Sequence, residues 1–315
     1  MPPDDLESVL SRLVPGEGKL EFHRLGDGLV NETYRVTRGA NAYVLRMAAA
    51  NSCDLGLDRA WEARVLERAA AADLAPVPVY CDPQRGILIA RWVDGRPWSP
   101  VDVRRQSNIA RMAELMRSIH ALPMPAPARA MSPAKWIEYY GAALTRHPDV
   151  SAETPASPGA QGARDLSAAA ARRLSALSVL PGVDPVVCHS DLHALNLVDR
   201  GDSLLLLDWE YAHAADPLWD LAGWIANNDL EDDLRHDLLA SYAGRPPTRN
   251  EYSRLQLLGW LYDYVCWLWS QLYLNLHRND RPGVHTPAGG PPGGDAQGGV
   301  AARARLLAAR LLKPK

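Results

Sequence analysis

The sequence predicts an α+β chain of two lobes, a small antiparallel sheet followed by a larger helical lobe. Residues 21–47 alternate polar and apolar side chains around a glycine turn, the period-two pattern of paired strands. Beyond Asp94-Gly95 almost every segment repeats its apolar residues at helical spacing instead. The 315 residues, 47% apolar and 23% charged, can bury one large or two ordinary domains and are too apolar to remain disordered.

The first strands are read from EFHRL, TYRV and AYVLRM, with Gly26-Asp27-Gly28 turning between the first two. Glycines there let a backbone approach phosphate groups with no Cβ in the way. From Asp54 to Ala72, Leu57, Trp61, Val65 and Leu66 fall on one helical face, and Pro76 and Pro78 stop the pattern. VPVYC and GILIARWV then read as a further strand pair, which closes a lobe spanning residues 1–95. A helical lobe is expected over 96–280, with helices at 102–121, 132–146, 163–180, 216–243 and 250–276. Residues 147–162 are a polar, Pro- and Ala-rich connector, expected as a surface loop. Residues 281–300 hold seven glycines and four prolines and read as a flexible segment. Helical patterning returns over 301–315, as a surface helix docked on the large lobe.

Thirty-four basic against 37 acidic residues leave a net charge of −3, so neither nucleic acid nor an anionic membrane is an expected partner. No stretch reaches the roughly 18 apolar residues of a membrane span, and MPPDDLESVLSRL lacks a signal-peptide layout, so a cytoplasmic location is expected. Cys53, Cys81, Cys188 and Cys266 never fall as C-x-x-C and read as reduced thiols. His189 and His193 stand four apart, but in a loop that spacing defines no common face for zinc.

The chemistry concentrates in VVCHSDLHALNLVDRGDSLLLLDWEYA, residues 186–212, where two apolar strands flank a polar loop. Hairpin pairing of those strands would bring Asp191, Asn196 and Asp208 to one spot. Two carboxylates and a carboxamide suit Mg²⁺, which takes a few protein oxygens together with substrate phosphates. Phosphoryl transfer asks mainly for charge neutralisation and an oriented hydroxyl, and Asp191 is the candidate base.

His189-x-Asp191-x-x-x-x-Asn196 followed by Asp208-Trp209-Glu210 resembles the motif of aminoglycoside phosphotransferases and choline kinases, which share the protein-kinase-like fold. The likeness runs from about Leu25 to Gln271. It implies a two-lobed kinase-like fold using ATP and Mg²⁺, with Asp191 as catalytic base, Asn196 and Asp208 as metal ligands and His189 as a brace of the loop. Asp220, in DPLWDLA, resembles the acidic residue that anchors the catalytic-loop backbone. LGDGLVNETYRV is similar to the nucleotide loop of choline-kinase-like enzymes, which implies nucleotide contacts for Gly26, Gly28 and Asn31. Where protein kinases and most aminoglycoside kinases carry a lysine, YVLRM places Arg46, in which it resembles choline-kinase-like proteins; arginine is able to clamp phosphate oxygens bidentately. Glu62 is its candidate partner, with Glu67 as the fallback, and adenine is expected against Ile89 to Val93.

The acceptor is sought in GWLYDYVCWLWSQLY, residues 259–273, where six aromatics surround Asp263. Aromatic faces attract cations, so a small cationic alcohol is the expected substrate, with Glu210, Asp263, Trp267 and Trp269 as candidate contacts. The segment resembles the W-x-x-W-S of choline and ethanolamine kinases, with Cys266 in place of the first tryptophan. The catalytic loop is equally similar to that of bacterial thiamine kinases. An aminoglycoside or sugar kinase of the same fold, and a nucleotide-binding pseudokinase module suggested by Arg46, are the alternatives.

Overall fold

The computed structural model describes residues 10–12, 14, 17–27, 29–49, 54–146, 158–277 and 296–313. Gly28, Cys53, residues 147–157 of the connector and 278–295 of the Gly/Pro-rich segment lie outside them.

Strands β1 (Glu21–Asp27), β2 (Asn31–Arg38), β3 (Asn41–Ala48), β4 (Pro78–Asp82) and β5 (Ile87–Arg91) form an antiparallel sheet ordered β1-β2-β3-β5-β4. Because side chains alternate along a strand, the register sorts the residues into two faces. Tyr34, Val36, Tyr43, Leu45, Ile87 and Ile89 pack with Leu10 and Val14 into a core of their own. Thr33, Arg46 and Leu88 stand opposite one another across the three central strands and share the other face, turned to the helical lobe. Ile89, expected beside adenine, is therefore on the wrong face; Leu88 and Ala90 are the residues of that strand on the cleft side. Helix α1 (Arg59–Ala71) starts where the Asp58 carboxylate accepts the Trp61 N–H at 2.9 Å, and it buries Trp61, Glu62, Val65 and Leu66.

The connector to the second lobe runs beside the catalytic segment. Arg96 and Asp199 exchange backbone hydrogen bonds of 3.1 and 2.8 Å. At Gly95 a Cβ would stand 2.5 Å from Val198 Cγ1 and 2.8 Å from Asp199 O, so this close approach requires glycine.

The helical lobe contains α2 (Pro100–Arg104), α3 (Gln106–His120), α4 (Pro133–Arg146), α5 (Gly159–Ser178), α6 (Leu218–Asn228), α7 (Asp232–Ala243), α8 (Arg249–Leu276) and α9 (Ala296–Leu311). Two helices that periodicity predicts as continuous are broken. The 102–121 helix starts early, at a capping box of Ser99 and Asp102, and leaves helical geometry at Arg105; Asn108 Nδ2 donates to Asp102 O at 2.9 Å across the break. The 216–243 helix stops at Asp229, in left-handed geometry with φ 49°, and restarts with Asp232 and Asp233 favoured at the new positive end. The last helix begins at Ala296, five residues before its predicted start. Helix α8 is the spine, touching α4, α5, α6 and α9. No helix among the described residues is long and apolar enough to cross a membrane.

Four short strands frame residues 186–215: β6 (Val186–Cys188), β7 (Leu197–Asp199), β8 (Leu204–Leu206) and β9 (His213–Ala215). They do not form the single hairpin expected. Strand β7 pairs with β8, and β6 pairs with β9, so one ribbon nests inside another.

Candidate active site between the lobes

The loop from Cys188 to Leu197 is held by its backbone. Asp220, fully buried on α6, accepts the His189 N–H at 2.9 Å and the Ser190 N–H at 2.7 Å. Those bonds hold Ser190 at φ 71°, a geometry that costs a non-glycine residue strain. Burial works to raise the Asp220 pKa, but the His120 hydrogen bond and the backbone donors outweigh it and leave the carboxylate ionised. His189, also fully buried, donates Nε2–H to Leu207 O at 2.8 Å, accepts the Asp191 N–H at 3.3 Å on Nδ1, and lies against Trp209. Asp191 is thereby aimed into the cleft with its side chain about a third exposed (34%). Burial pushes its pKa up, and the His193 hydrogen bond with the charges of His193, His189 and Arg303 brings it below its ordinary value.

Asn196 closes the loop, its Nδ2 donating to Asp191 O at 3.1 Å and to Asp191 Oδ2 at 3.4 Å. Leu207 N donates to Asn196 O at 2.8 Å, so the β7–β8 ribbon delivers Asp208 beside that loop, itself in left-handed geometry at φ 58°. Asp191, Asn196 and Asp208 are therefore brought together, by nested ribbons rather than by one hairpin.

Against them lies a buried charge network that crosses between the lobes. Arg46 reaches Asp208 Oδ1 at 2.8 Å and Glu62 Oε1 at 2.5 Å. Arg59 Nη1 reaches Glu62 Oε2 and Glu210 Oε2, both at 2.9 Å, and its Nη2 donates to Asn31 Oδ1 at 2.8 Å. Asn31 Nδ2 donates to Glu210 Oε2 at 2.7 Å. Glu67 is not needed; Glu62 pairs with Arg46. Burial opposes the Arg46 charge, and Glu62, Asp208 and Glu210 outweigh that and keep it protonated. Burial, then Asp208, lifts Glu210 to about 7 against the pull of Arg46 and Arg59. Asp208 is also raised, by burial and by Glu62 and Asp191, despite Arg46.

Four carboxylates (Glu62, Asp191, Asp208, Glu210) thus face two guanidinium groups (Arg46, Arg59) in one cluster. Even with Glu210 lifted to about 7, the carboxylates outnumber the guanidinium groups, and that negative surplus and the all-oxygen donor set of Asp208 and Asn196 fit a divalent cation such as Mg²⁺.

The acceptor candidates divide. Positions two apart on a helix point about 200° away from each other, so Trp267 and Trp269 cannot share a cage. Trp267 stacks on Tyr264 at 5.8 Å, which stacks on Trp260 beneath Arg173, on the α5 side of α8. Asp263 accepts from Arg310 of α9 at 2.6 Å. Glu210 belongs to the Asn31–Arg59 network. Trp269 alone faces the site, stacked on Tyr273 and donating Nε1–H to Tyr211 Oη at 2.6 Å.

Around Asp191 on that side stand Tyr140, Tyr211, Tyr262 and Cys266, whose protons are held by burial first and by the nearby negative charge as well. Sequence reasoning placed Tyr262 and Cys266 in the acceptor segment without assigning them contacts, and it missed Tyr140, Tyr211, Arg59, Asn227 and Arg303. Arg59 stands three residues before Glu62 and Tyr211 completes D-W-E-Y, so those two carried a signal; the others carried none. Gly26 lies where the β1–β2 register shifts between Arg24 and Asp27.

A five-stranded lobe over a helical lobe, with a braced carboxylate loop in the cleft between them, is the architecture of the protein-kinase-like phosphotransferases. Residues 21–258 match the family model described as "Phosphotransferase enzyme family", and the chain belongs to that family. It is similar to a choline/ethanolamine kinase family protein from Mesorhizobium loti, 26% identical, with a TM-score of 0.73 over 99% of this chain and 95% of that one. It shares the fold of the choline kinase LicA from Streptococcus pneumoniae, 20% identical, with a TM-score of 0.70 over 97% of this chain and 98% of that one. Among curated proteins, LicA of Haemophilus influenzae is 28% identical over 91 residues, 27% of this chain and about a third (34%) of that protein's length.

Proposed function

We propose that the chain transfers the γ-phosphoryl group of ATP to the hydroxyl of a small amino alcohol, of the choline, ethanolamine or thiamine kind. The observation that carries this is the convergence of Asp191, Asn196 and Asp208 under a sheet-borne arginine, in a cluster where carboxylates outnumber guanidinium groups. Mg-ATP would supply the transferable phosphoryl group and the charge that balances the cluster. Asp208 and the Asn196 carbonyl would hold the metal, and Arg46, held by Glu62, would clamp phosphate oxygens. Asp191, kept ionised, accepts the proton of the acceptor hydroxyl as its oxygen attacks in line. His189 and Asp220 position that carboxylate through the loop backbone. A structure of LicA in complex with AMP, sharing this fold at 19% identity and a TM-score of 0.69, supports a nucleotide in the cleft. The aromatic wall of Trp269 and Tyr211 supports an acceptor carrying a cationic amine.

The test is ADP release from Mg-ATP with a panel of choline, ethanolamine, thiamine, aminoglycosides and sugars. Acceleration by one alcohol, lost in Asp191→Ala, supports the reading. ATP bound but never turned over with any acceptor would favour the pseudokinase module.

A further inference from the structure

The C-terminal helix reaches into the acceptor side of the cleft. Helix α9 lies along α8 with Val300, Ala304, Leu307 and Leu311 buried, and Arg310 ties it to Asp263. That docking places the exposed Arg303 at the rim of the site: its Nη2 donates to Asn227 Oδ1 at 2.6 Å, with Cys266 and Tyr262 beside it. Asn227 is itself part of the catalytic surroundings, its Nδ2 donating to Leu192 O and to Tyr262 Oη, both at 3.0 Å. Tyr262 in turn donates to Ser190 O at 3.3 Å. Arg303 is thus joined to the residues on both sides of Asp191, whose charge it feels.

We infer that Arg303 is a specificity-determining residue that binds a carboxylate on the acceptor, so that the preferred substrate is an amino alcohol bearing a carboxylate group. Two observations decide where it acts. The charges that bear most on Asp208 come from Arg46, Glu62, Asp191 and Arg59, whereas Arg303 meets Asp191 from the side of Cys266 and Tyr262. It therefore faces the acceptor, not the transferred phosphoryl group. Among the described residues, no carboxylate lies within ion-pair distance of Arg303, and its neighbours Asn227, Cys266 and Tyr262 are uncharged. Asp191 is the negative group that bears on it without pairing with it, and a guanidinium not closely paired at a substrate site attracts an anion and disfavours a permanent cation. A planar carboxylate matches its fork of donors, while a phosphate would ask for more donors than this corner offers, since both protons of the Asn227 amide are already directed to Leu192 and Tyr262. The amine of the same molecule remains free to meet the Trp269 and Tyr211 wall.

This inference rests on the kinase reading above and narrows its acceptor, setting a carboxylate-bearing amino alcohol in place of permanent cations such as choline and thiamine. The experiment compares matched pairs with and without the carboxylate, serine against ethanolamine and homoserine against aminopropanol, with choline as the permanent cation. With the full chain, kcat/KM is expected to favour the carboxylate-bearing member by about tenfold or more. Arg303→Ala should erase that ratio, mainly by raising the KM of the carboxylate-bearing member, Arg303→Lys should keep part of it, and Arg303→Glu should turn the preference toward ethanolamine and choline. Preference of the wild type for choline, or an equal loss for both members of each pair in Arg303→Ala, overturns the inference. If no alcohol stimulates Asp191-dependent ADP release, the kinase reading fails separately. Calorimetric binding of the same pairs then decides the role of Arg303: a carboxylate preference that vanishes in Arg303→Ala supports it, and equal binding overturns it.

Discussion

On the sheet side of Asp191 the side chains are charged and locked to one another across the lobes, Arg46 to Glu62 and Asp208, Arg59 to Glu62 and Glu210. On the α8 side they are aromatic rings and neutral hydrogen-bonding groups, Tyr140, Tyr211, Tyr262 and Trp269, with Arg303 at the edge. The contrast follows from what each side tolerates. Buried charges demand partners, so removing one strands another and the arrangement stands or falls together. Stacked rings contribute about 0.5–1.5 kcal/mol per pair, so one can be exchanged with a local effect. The sheet side is therefore the rigid half of the site, and under the proposed reading the α8 side is the half that would choose the acceptor.

The sharpest way to probe the boundary is Asp191→Ala, which belongs to both halves. Turnover should fall by about 10²–10⁴-fold with the melting temperature nearly unchanged, because the side chain is partly exposed and the loop is braced by its backbone. Full turnover in that variant would remove the base from the mechanism. Arg46→Ala should instead cost about 3–5 kcal/mol of stability in urea unfolding, since Glu62 and Asp208 lose their shared partner. A loss below about 1 kcal/mol, the range of exposed pairs, would show that the network does not bind the lobes.

The α8 side has its own signature, in acid. His213 is buried with Nδ1 2.8 Å from Tyr211 O and Nε2 accepting the Trp136 Nε1–H at 3.4 Å. Burial drives its pKa down from 6.5 to about 4. The unfolded chain therefore takes up a proton that the folded chain refuses, so this contribution is present above 6.5 and is lost as pH falls toward about 4. His213→Gln should flatten the urea midpoint against pH across that window, relative to wild type; an unchanged slope would place the acid sensitivity elsewhere. The smallest expected effect is that of Trp269→Ala. It should raise the acceptor KM about three- to tenfold with kcat held, while Trp267→Ala should change stability but not KM. Equal KM effects for the two would break the assignment of opposite faces of α8.

Much of the sheet side was legible in the sequence, because its spacings are short and chemically constrained. Asp191, Asn196 and Asp208 fall within eighteen residues of chain, and Arg46 lies on a strand whose alternation assigns its face. Even there the pairing was misjudged. Spacing suggested one hairpin, and the choice of β9 as the partner of β6 depends on a strand that local pattern did not announce. Glu210 illustrates a different limit: it stands two residues after Asp208, yet its side chain turns back to Arg59 and Asn31, residues 151 and 179 positions away.

The amino-acid order by itself determined the two-lobed class, the catalytic loop and the residues of its braces, because strand alternation, helical period and motif spacing are local properties of the chain. Tertiary structure alone decided which aromatics face Asp191 and that α9 brings Arg303 to them. Composition marked residues 259–273 as aromatic, but only packing against α4, α5 and α9 distinguishes the face of Trp269 from that of Trp267. Arg303 meets Asn227 across 76 positions of chain, and contacts at that separation are specified by the burial of a whole helix rather than by any local pattern.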